Sequence, residues 1–229
     1  MQTTYRSEYN FLQKKRSFKQ SIKKQPFLIL LKPEKTIFED NFEIQAFLNN
    51  IQYLVNLGIR NIEIAWQDNQ YWSDLIIVIQ NKFPFLKLGS ASIKNRKSID
   101  ESIKLGLDFS MMKFWDKNLY NYAKKKNYLL IPGLNNITEL NEAIFFNCEI
   151  IKIYPVSNLD KFININEYHE KLSFIAAGGL SITDLFNYQE DGYEAIVIGN
   201  KGFNGKNIDE NIIYWLESNA NINKSFIKQ

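Results

Sequence analysis

The sequence predicts an α/β protein, a (β/α)8 TIM barrel with an extra N-terminal helix. Eight short apolar runs alternate with longer segments of helical period. Successive runs start about 20 to 35 residues apart, the length of one β-α unit. At 229 residues and 45% hydrophobic composition the chain can bury one sizeable core. No Pro/Gly/Ser-rich linker divides it. Periodicity alone does not close a sheet, and a doubly wound open sheet would give the same pattern.

The elements follow in order. Residues 1–26 hold Arg6, Lys14, Lys15, Arg16, Lys19, Lys23 and Lys24 against Glu8 alone, while residues 27–229 are acidic on balance. A basic tail can meet a membrane surface or nucleic acid. Here Phe11, Phe18 and Ile22 share one helical face, which points instead to a helix docked on the barrel. The barrel, residues 27–229, then takes its strands from "FLILL" (27–31), "NIEIA" (61–65), "FLKLG" (85–89) and "LDFSMM" (107–112). It continues with "YLLIP" (128–132), "EIIKIYP" (149–155), "LSFIAAGG" (172–179) and "YEAIVIG" (193–199). Segments 41–58 and 136–147 read as helices between them, with Gly58 and Gly106 placed where helices should stop.

Several classes are disfavoured by composition. Cys148 is the only cysteine, so no intrachain disulfide forms, and a reducing, cytoplasmic setting is expected. No apolar run approaches the roughly 18 to 20 residues of a membrane span. The N-terminus lacks a signal-peptide core. His169 is the only histidine, which rules out a multi-histidine metal site; it reads as a surface residue. Cys148 reads as an inert core thiol. The aromatic residues come without any ribonucleoprotein-type strand motif, so no nucleic-acid partner is expected.

One strand carries a chemical anomaly. In "CEIIKIYPVS" (148–157), Lys152 interrupts an otherwise buried run. Lysine is seldom fully buried unless paired. Glu63, in the second run, poses the mirror question. Two readings stand side by side. In one, Lys152 and Glu63 are a structural ion pair inside the barrel. In the other, Lys152 is an imine-forming amine and Glu63 moves protons for it. An amine with a pKa near 10.4 is neutral in only about one copy in 2,500 at pH 7. Desolvation raises that fraction. Barrel sites gather at the C-terminal ends of strands, and phosphate commonly binds after strands seven and eight. That places Gly178-Gly179, the helix start around Ser181, and Gly199-Asn200 at an anion site.

These pieces together resemble a known family. "GIRNIEIAW", "LGSAS", "LLIPGLNNITEL", "IIKIYPV", "FIAAGGLSITDL" and "AIVIGN" occur in the order found in the bacterial class I aldolases that cleave 2-keto-3-deoxy-6-phosphogluconate (KDPG) and 4-hydroxy-2-oxoglutarate (KHG). The likeness covers about residues 27–203, and "IEIAW" is similar to a cyanobacterial-like subgroup. The resemblance implies a metal-free, cofactor-free lyase for a small 2-oxo acid, working as a homo-oligomer, a trimer in many members. It implies that Lys152 forms the imine with pyruvate and that Glu63 is the acid/base. It puts Ser92, Gln67, Pro155, Gly178, Gly179, Gly199 and Asn200 around the substrate.

The departures from the family are specific. Gln67 stands where many members have an arginine for the pyruvate carboxylate. The turn after the third strand is "GSAS", with Ala91 for a glycine. Met112-Lys113 replaces a Ser/Thr-Pro pair, the glycine pair soon after the lysine strand is missing, and Ala177 and Asn200 replace two hydroxyl residues. The imine lysine and the acid/base stay while the substrate-holding shell changes. A non-catalytic barrel that binds an oxoacid or a protein is therefore the alternative expectation.

Overall fold

A computed structural model describes residues 2–34, 37, 41–158, 165–168, 171–204 and 207–219, so His169 lies outside the described residues. The strands are β1 (Phe27–Leu31), β2 (Asn61–Ala65), β3 (Lys87–Ile93), β4 (Phe109–Met112), β5 (Leu130–Ile131), β6 (Gly133–Leu134), β7 (Ile150–Ile153), β8 (Ser173–Leu180) and β9 (Ala195–Ile198). They run parallel in the order β5-β4-β3-β2-β1-β9-β8-β7-β6. β5 and β6 are halves of one barrel strand, separated by Pro132. Proline has no N–H to give the ladder. Its carbonyl still accepts from Lys152 N–H at 2.9 Å, and Leu134 O accepts from Tyr154 N–H at 2.7 Å, which closes the ring. The open-sheet alternative is thereby excluded. A small antiparallel pair, β10 (Phe203–Asn204) and β11 (Asn207–Ile208), follows the barrel.

Helices α2 (Asn41–Asn56), α3 (Trp72–Lys82), α4 (Arg96–Lys104), α5 (Lys117–Lys125), α6 (Ile137–Phe145), α7 (Leu185–Glu190) and α8 (Glu210–Ser218) follow the barrel strands except β7, after which the described residues hold only 3-10 turns at 156–158 and 165–167; α1 (Gln2–Lys24) precedes β1. Their starts have local causes. Asn95, Asp116, Asn136 and Asp209 cap α4, α5, α6 and α8 by accepting from the first-turn N–H groups. Gly58 and Gly106 end α2 and α4 with positive φ, as the sequence suggested. The third strand begins two residues later than expected, because Phe85 sits in the preceding turn and is 83% exposed.

Strand alternation splits the apolar residues into two cores. Ile62, Ile64, Ile151, Ile153, Phe174, Ile196 and Ile198 face outward into the layer shared with the helices. Leu28, Phe109, Met111, Leu129, Ile131, Ile150, Ile175, Ala195 and Val197 face inward and fill the lumen. Phe18 and Ile22 of α1 belong to this inner cluster and are fully buried. Phe18 packs on Phe109 with ring centroids 4.5 Å apart. A Cβ at residue 89 would stand 2.3 Å from the Phe109 ring, so glycine on β3 makes room for it. The helix is fastened by Lys14 Nζ, which donates to Gly106 O and Leu107 O at 2.9 and 3.0 Å, and by Lys15, paired with Glu149 at 2.6 Å. Lys14, Lys15 and Lys19 of α1 are therefore engaged with the barrel, while Arg16 and Lys23 are exposed.

Candidate active site

Lys152 stands on β7 at a position whose strand neighbours are Gly133 on β6 and Ile175 on β8. Its immediate neighbours Ile151 and Ile153 point outward, so Lys152 points into the lumen. Glu63 stands on β2 beside Leu30 and Gly89, with Ile62 and Ile64 pointing outward. In the strand order, β2 and β7 lie on opposite sides of the ring. The two charged side chains therefore face each other across the barrel mouth. Lys152 is 6% exposed and Glu63 1%.

No direct ion pair joins them among the described residues, and Glu63 Oε2 has no hydrogen-bond partner. A structural pair would close that gap with contact. Burial pushes the Glu63 carboxyl up to about 7, against the opposing pull of Lys152 and Lys32. Burial likewise lowers the Lys152 amine, opposed by Glu63 and assisted by Lys113. Both groups are thus brought toward the neutral pH range where proton exchange is easiest.

The cavity at this mouth has a volume of about 410 Å³. It brings together Lys152, Glu63, Ser92, Pro155, Gly178, Gly179, Gly199 and Asn200, all anticipated from the sequence. Gln67 is not brought in. It is absent from the lining, and its side-chain amide donates to the carbonyl of Pro33. Gly178 and Gly179 carry φ values of 127° and 71°, backbone that a side chain would strain. A Cβ at residue 178 would also stand 3.1 Å from Pro155. The helix start at Ser181 differs from expectation. Its N–H donates to Asp184 Oδ2 at 2.7 Å and its hydroxyl to the same oxygen at 2.9 Å, so the chain's own carboxylate fills that cap. Lys32, Lys113 and Lys201 also line the cavity; the sequence reading gave none of them a role at the site. Glu63 is the only acid among the lining residues, which makes the mouth strongly cationic. Cys148 is buried, and burial pushes its thiol up to about 11, as befits an inert core thiol. Among the described residues no group of three His, Cys, Asp or Glu side chains could hold a metal ion, and no helix is long and apolar enough to cross a membrane.

Comparison with known proteins converges on one family. Residues 38–213 match the family model described as KDPG and KHG aldolase. A 2-dehydro-3-deoxy-phosphogluconate aldolase of Pseudoalteromonas atlantica is 25% identical over 138 residues. That match covers 59% of this chain and 64% of the relative's length. Among solved structures, the 2-keto-3-deoxy-6-phosphogluconate aldolase of Zymomonas mobilis superposes with a TM-score of 0.67 at 17% identity, covering 88% of this chain and 94% of its own. The KDPG aldolase of Legionella pneumophila, with pyruvate captured as a covalent carbinolamine intermediate, gives 0.64 at 16% identity, covering 88% and 92%. These structural likenesses carry the fold, and the family match extends over most of the chain. The chain belongs to the KDPG and KHG aldolase family, as a divergent member.

Proposed function

We propose that this protein is a class I aldolase that cleaves a 4-hydroxy-2-oxo acid to pyruvate and an aldehyde through an imine on Lys152. The observation that carries this reading is the opposed, buried and unbridged Lys152 and Glu63 at the barrel mouth. Neutral Lys152 adds to the C2 carbonyl, and a proton delivered to the oxygen gives a carbinolamine. Loss of water leaves the protonated imine. Glu63, as carboxylate, takes the C4 hydroxyl proton, the C3–C4 bond breaks, and its electron pair passes into the imine to form an enamine. Aldehyde leaves. The enamine carbon takes a proton, and water releases pyruvate and restores the amine. A carboxyl with a pKa of about 7 can both donate and accept in such a cycle.

The glycine loops fit a phosphate at the far end of the substrate, with Lys32 and Lys201 lending charge. Two neutral hydroxyls are absent at Ala177 and Asn200, each worth about 0.5 to 1.5 kcal/mol. That weakens phosphate binding by roughly 5- to 150-fold. The enzyme should therefore accept both KDPG and KHG, with a reduced preference for the phosphorylated one; a preference above roughly a thousandfold would contradict it. A homo-oligomer, a trimer by resemblance, is part of the same proposal and is read by light scattering.

The test of the central reading is borohydride trapping. With pyruvate, wild type should gain the mass of one reduced adduct and Lys152→Ala none. Equal labelling of both would remove Lys152 from the chemistry. If wild type shows neither an adduct nor cleavage of KDPG or KHG, the oxoacid-binding or protein-interaction barrel becomes the better account.

A further inference from the structure

We propose that Lys113, just past the end of β4, holds the carboxylate of the 2-oxo acid. This rests on the aldolase reading above and supplies the anchor that it lacks. A 2-oxo acid places a carboxylate one bond from the carbon that Lys152 attacks. That charge would enter a mouth already holding the buried Glu63. Without a cation in contact it would be opposed there.

Gln67, just past the end of β2, does not meet this need. It carries no charge, its amide is committed to Pro33 O, and it stands outside the cavity lining. Three lysines other than Lys152 line the cavity, and the strand order sorts them. Lys201 follows β9, next to the β8 strand that carries Gly178 and Gly179, and stands on the glycine-loop side. Lys32 follows β1, between β9 and the β2 strand of Glu63, and its charge already acts on that carboxyl. Lys113 follows β4, beside Ser92 of β3. Ser92 and Lys113 line this cavity together and share a second one next to it, behind Trp66 and Phe114. They form one corner of the mouth.

The position of the ammonium fits. Lys113 Nζ lies 5.9 Å from the Tyr154 ring centroid and Lys152 Nζ lies 5.7 Å from the same centroid. The two ammonium groups attend one ring and the Lys113 charge reaches the Lys152 amine, so a swing of the flexible Lys113 side chain can bring it to a carboxylate on the imine. Lys113 has no carboxylate partner among the described residues; the rings of Phe114, at 5.0 Å, and Tyr154 are its neighbours. Its backbone is held closely, since a Cβ at residue 133 would stand 2.4 Å from Lys113 O. Ser92, held at a φ of 61°, offers a hydroxyl at the same corner as a second contact. An ammonium is a point charge without the two-pronged fit of a guanidinium.

The experiment measures borohydride trapping in the full chain against concentration of pyruvate and of methyl pyruvate, its neutral ester. A charge-assisted contact is worth about 10- to 150-fold in binding. Lys113→Met should raise the half-saturating pyruvate concentration by that factor and leave methyl pyruvate within about threefold. Lys113→Arg should restore pyruvate. Loss of Lys113 also removes a charge that lowers the Lys152 amine, but that effect falls on both ketones alike. An equal shift for both, or no shift for pyruvate, would overturn the assignment. Trapping of methyl pyruvate doubles as proof that the variant is folded. Wild type that traps neither ketone would remove the aldolase reading itself, and the anchor with it.

Discussion

The two ends of the barrel lumen are built from the same alternating strand positions and filled in opposite ways. At the end where the strands begin, Phe18 and Ile22 of α1 press into an apolar layer around Phe109. At the end where they finish, the inward positions are Glu63 and Lys152, and a cavity of about 410 Å³ remains between them. One end is sealed by close packing, and the other is kept open and charged. The contrast shows how a single barrel separates stability from chemistry. The plug fills the lower lumen with apolar side chains, and the cavity that Lys152 and Glu63 line lies at the other end. Burial between these two ends moves both groups from their ordinary pKa values.

The largest expected effect comes from the charged end. Glu63→Gln keeps the shape of the side chain and removes its ability to carry a proton. We expect cleavage to slow by about 10²- to 10⁴-fold while pyruvate still forms its adduct with Lys152. A variant that turns over within a few fold of wild type would show Glu63 to be structural, and the two ends would then differ in polarity alone.

The sealed end should respond in stability instead. Phe18→Ala removes a fully buried ring that packs on Phe109. A loss of about 3 to 5 kcal/mol is expected from a change of this kind. Denaturant unfolding reads it. Pyruvate trapping by the protein that remains folded should stay close to wild type. An unfolding free energy that does not change would mean that α1 is not docked in solution. Trapping that falls along with stability would mean that the two ends are coupled.

How legible each end was in the sequence follows from the same contrast. Strands β1 and β2 coincide with their apolar runs because turn residues bound them sharply. The fifth run, 128–132, stops at Pro132 in the sequence, and only the backbone shows the strand resuming beyond it as β6. Lys152 and Glu63 were visible because a charge inside an apolar run breaks its pattern. Phe11, Phe18 and Ile22 were visible as a helical stripe, and the helix carrying them is present. Lys32, Lys113 and Lys201 carried no such signal. Lysine is common along this chain, and one at a strand end looks like any solvated residue. Gln67 shows the reverse failure. Its place in the sequence matches a substrate-holding position, yet a hydrogen bond to Pro33, on the segment after β1, turns it elsewhere. Linear position gave its register but not the direction of its side chain.

The smallest effect tests how dry the charged end is. Unfolded, the Glu63 carboxyl ionises around 4.5; folded, burial holds it protonated up to about 7, with Lys152 and Lys32 the charged groups that act on it. Between these values the folded state binds the extra proton. Stability from this group is therefore complete below pH 4.5 and is lost as pH rises through 7. A shift of that size corresponds to about 3 kcal/mol. Glu63→Gln cannot ionise, so wild type should lose stability relative to this variant between pH 5 and pH 8, by up to about 3 kcal/mol. Removing the carboxylate also lets Lys152 shed its proton more easily, which favours the variant at high pH and adds in the same direction. Urea unfolding at both pH values, without substrate, measures the difference. If the gap between the two proteins stays constant with pH, the carboxyl titrates as it does in water. The open end of the barrel would then be wet, and the imine chemistry would need another source for its neutral amine.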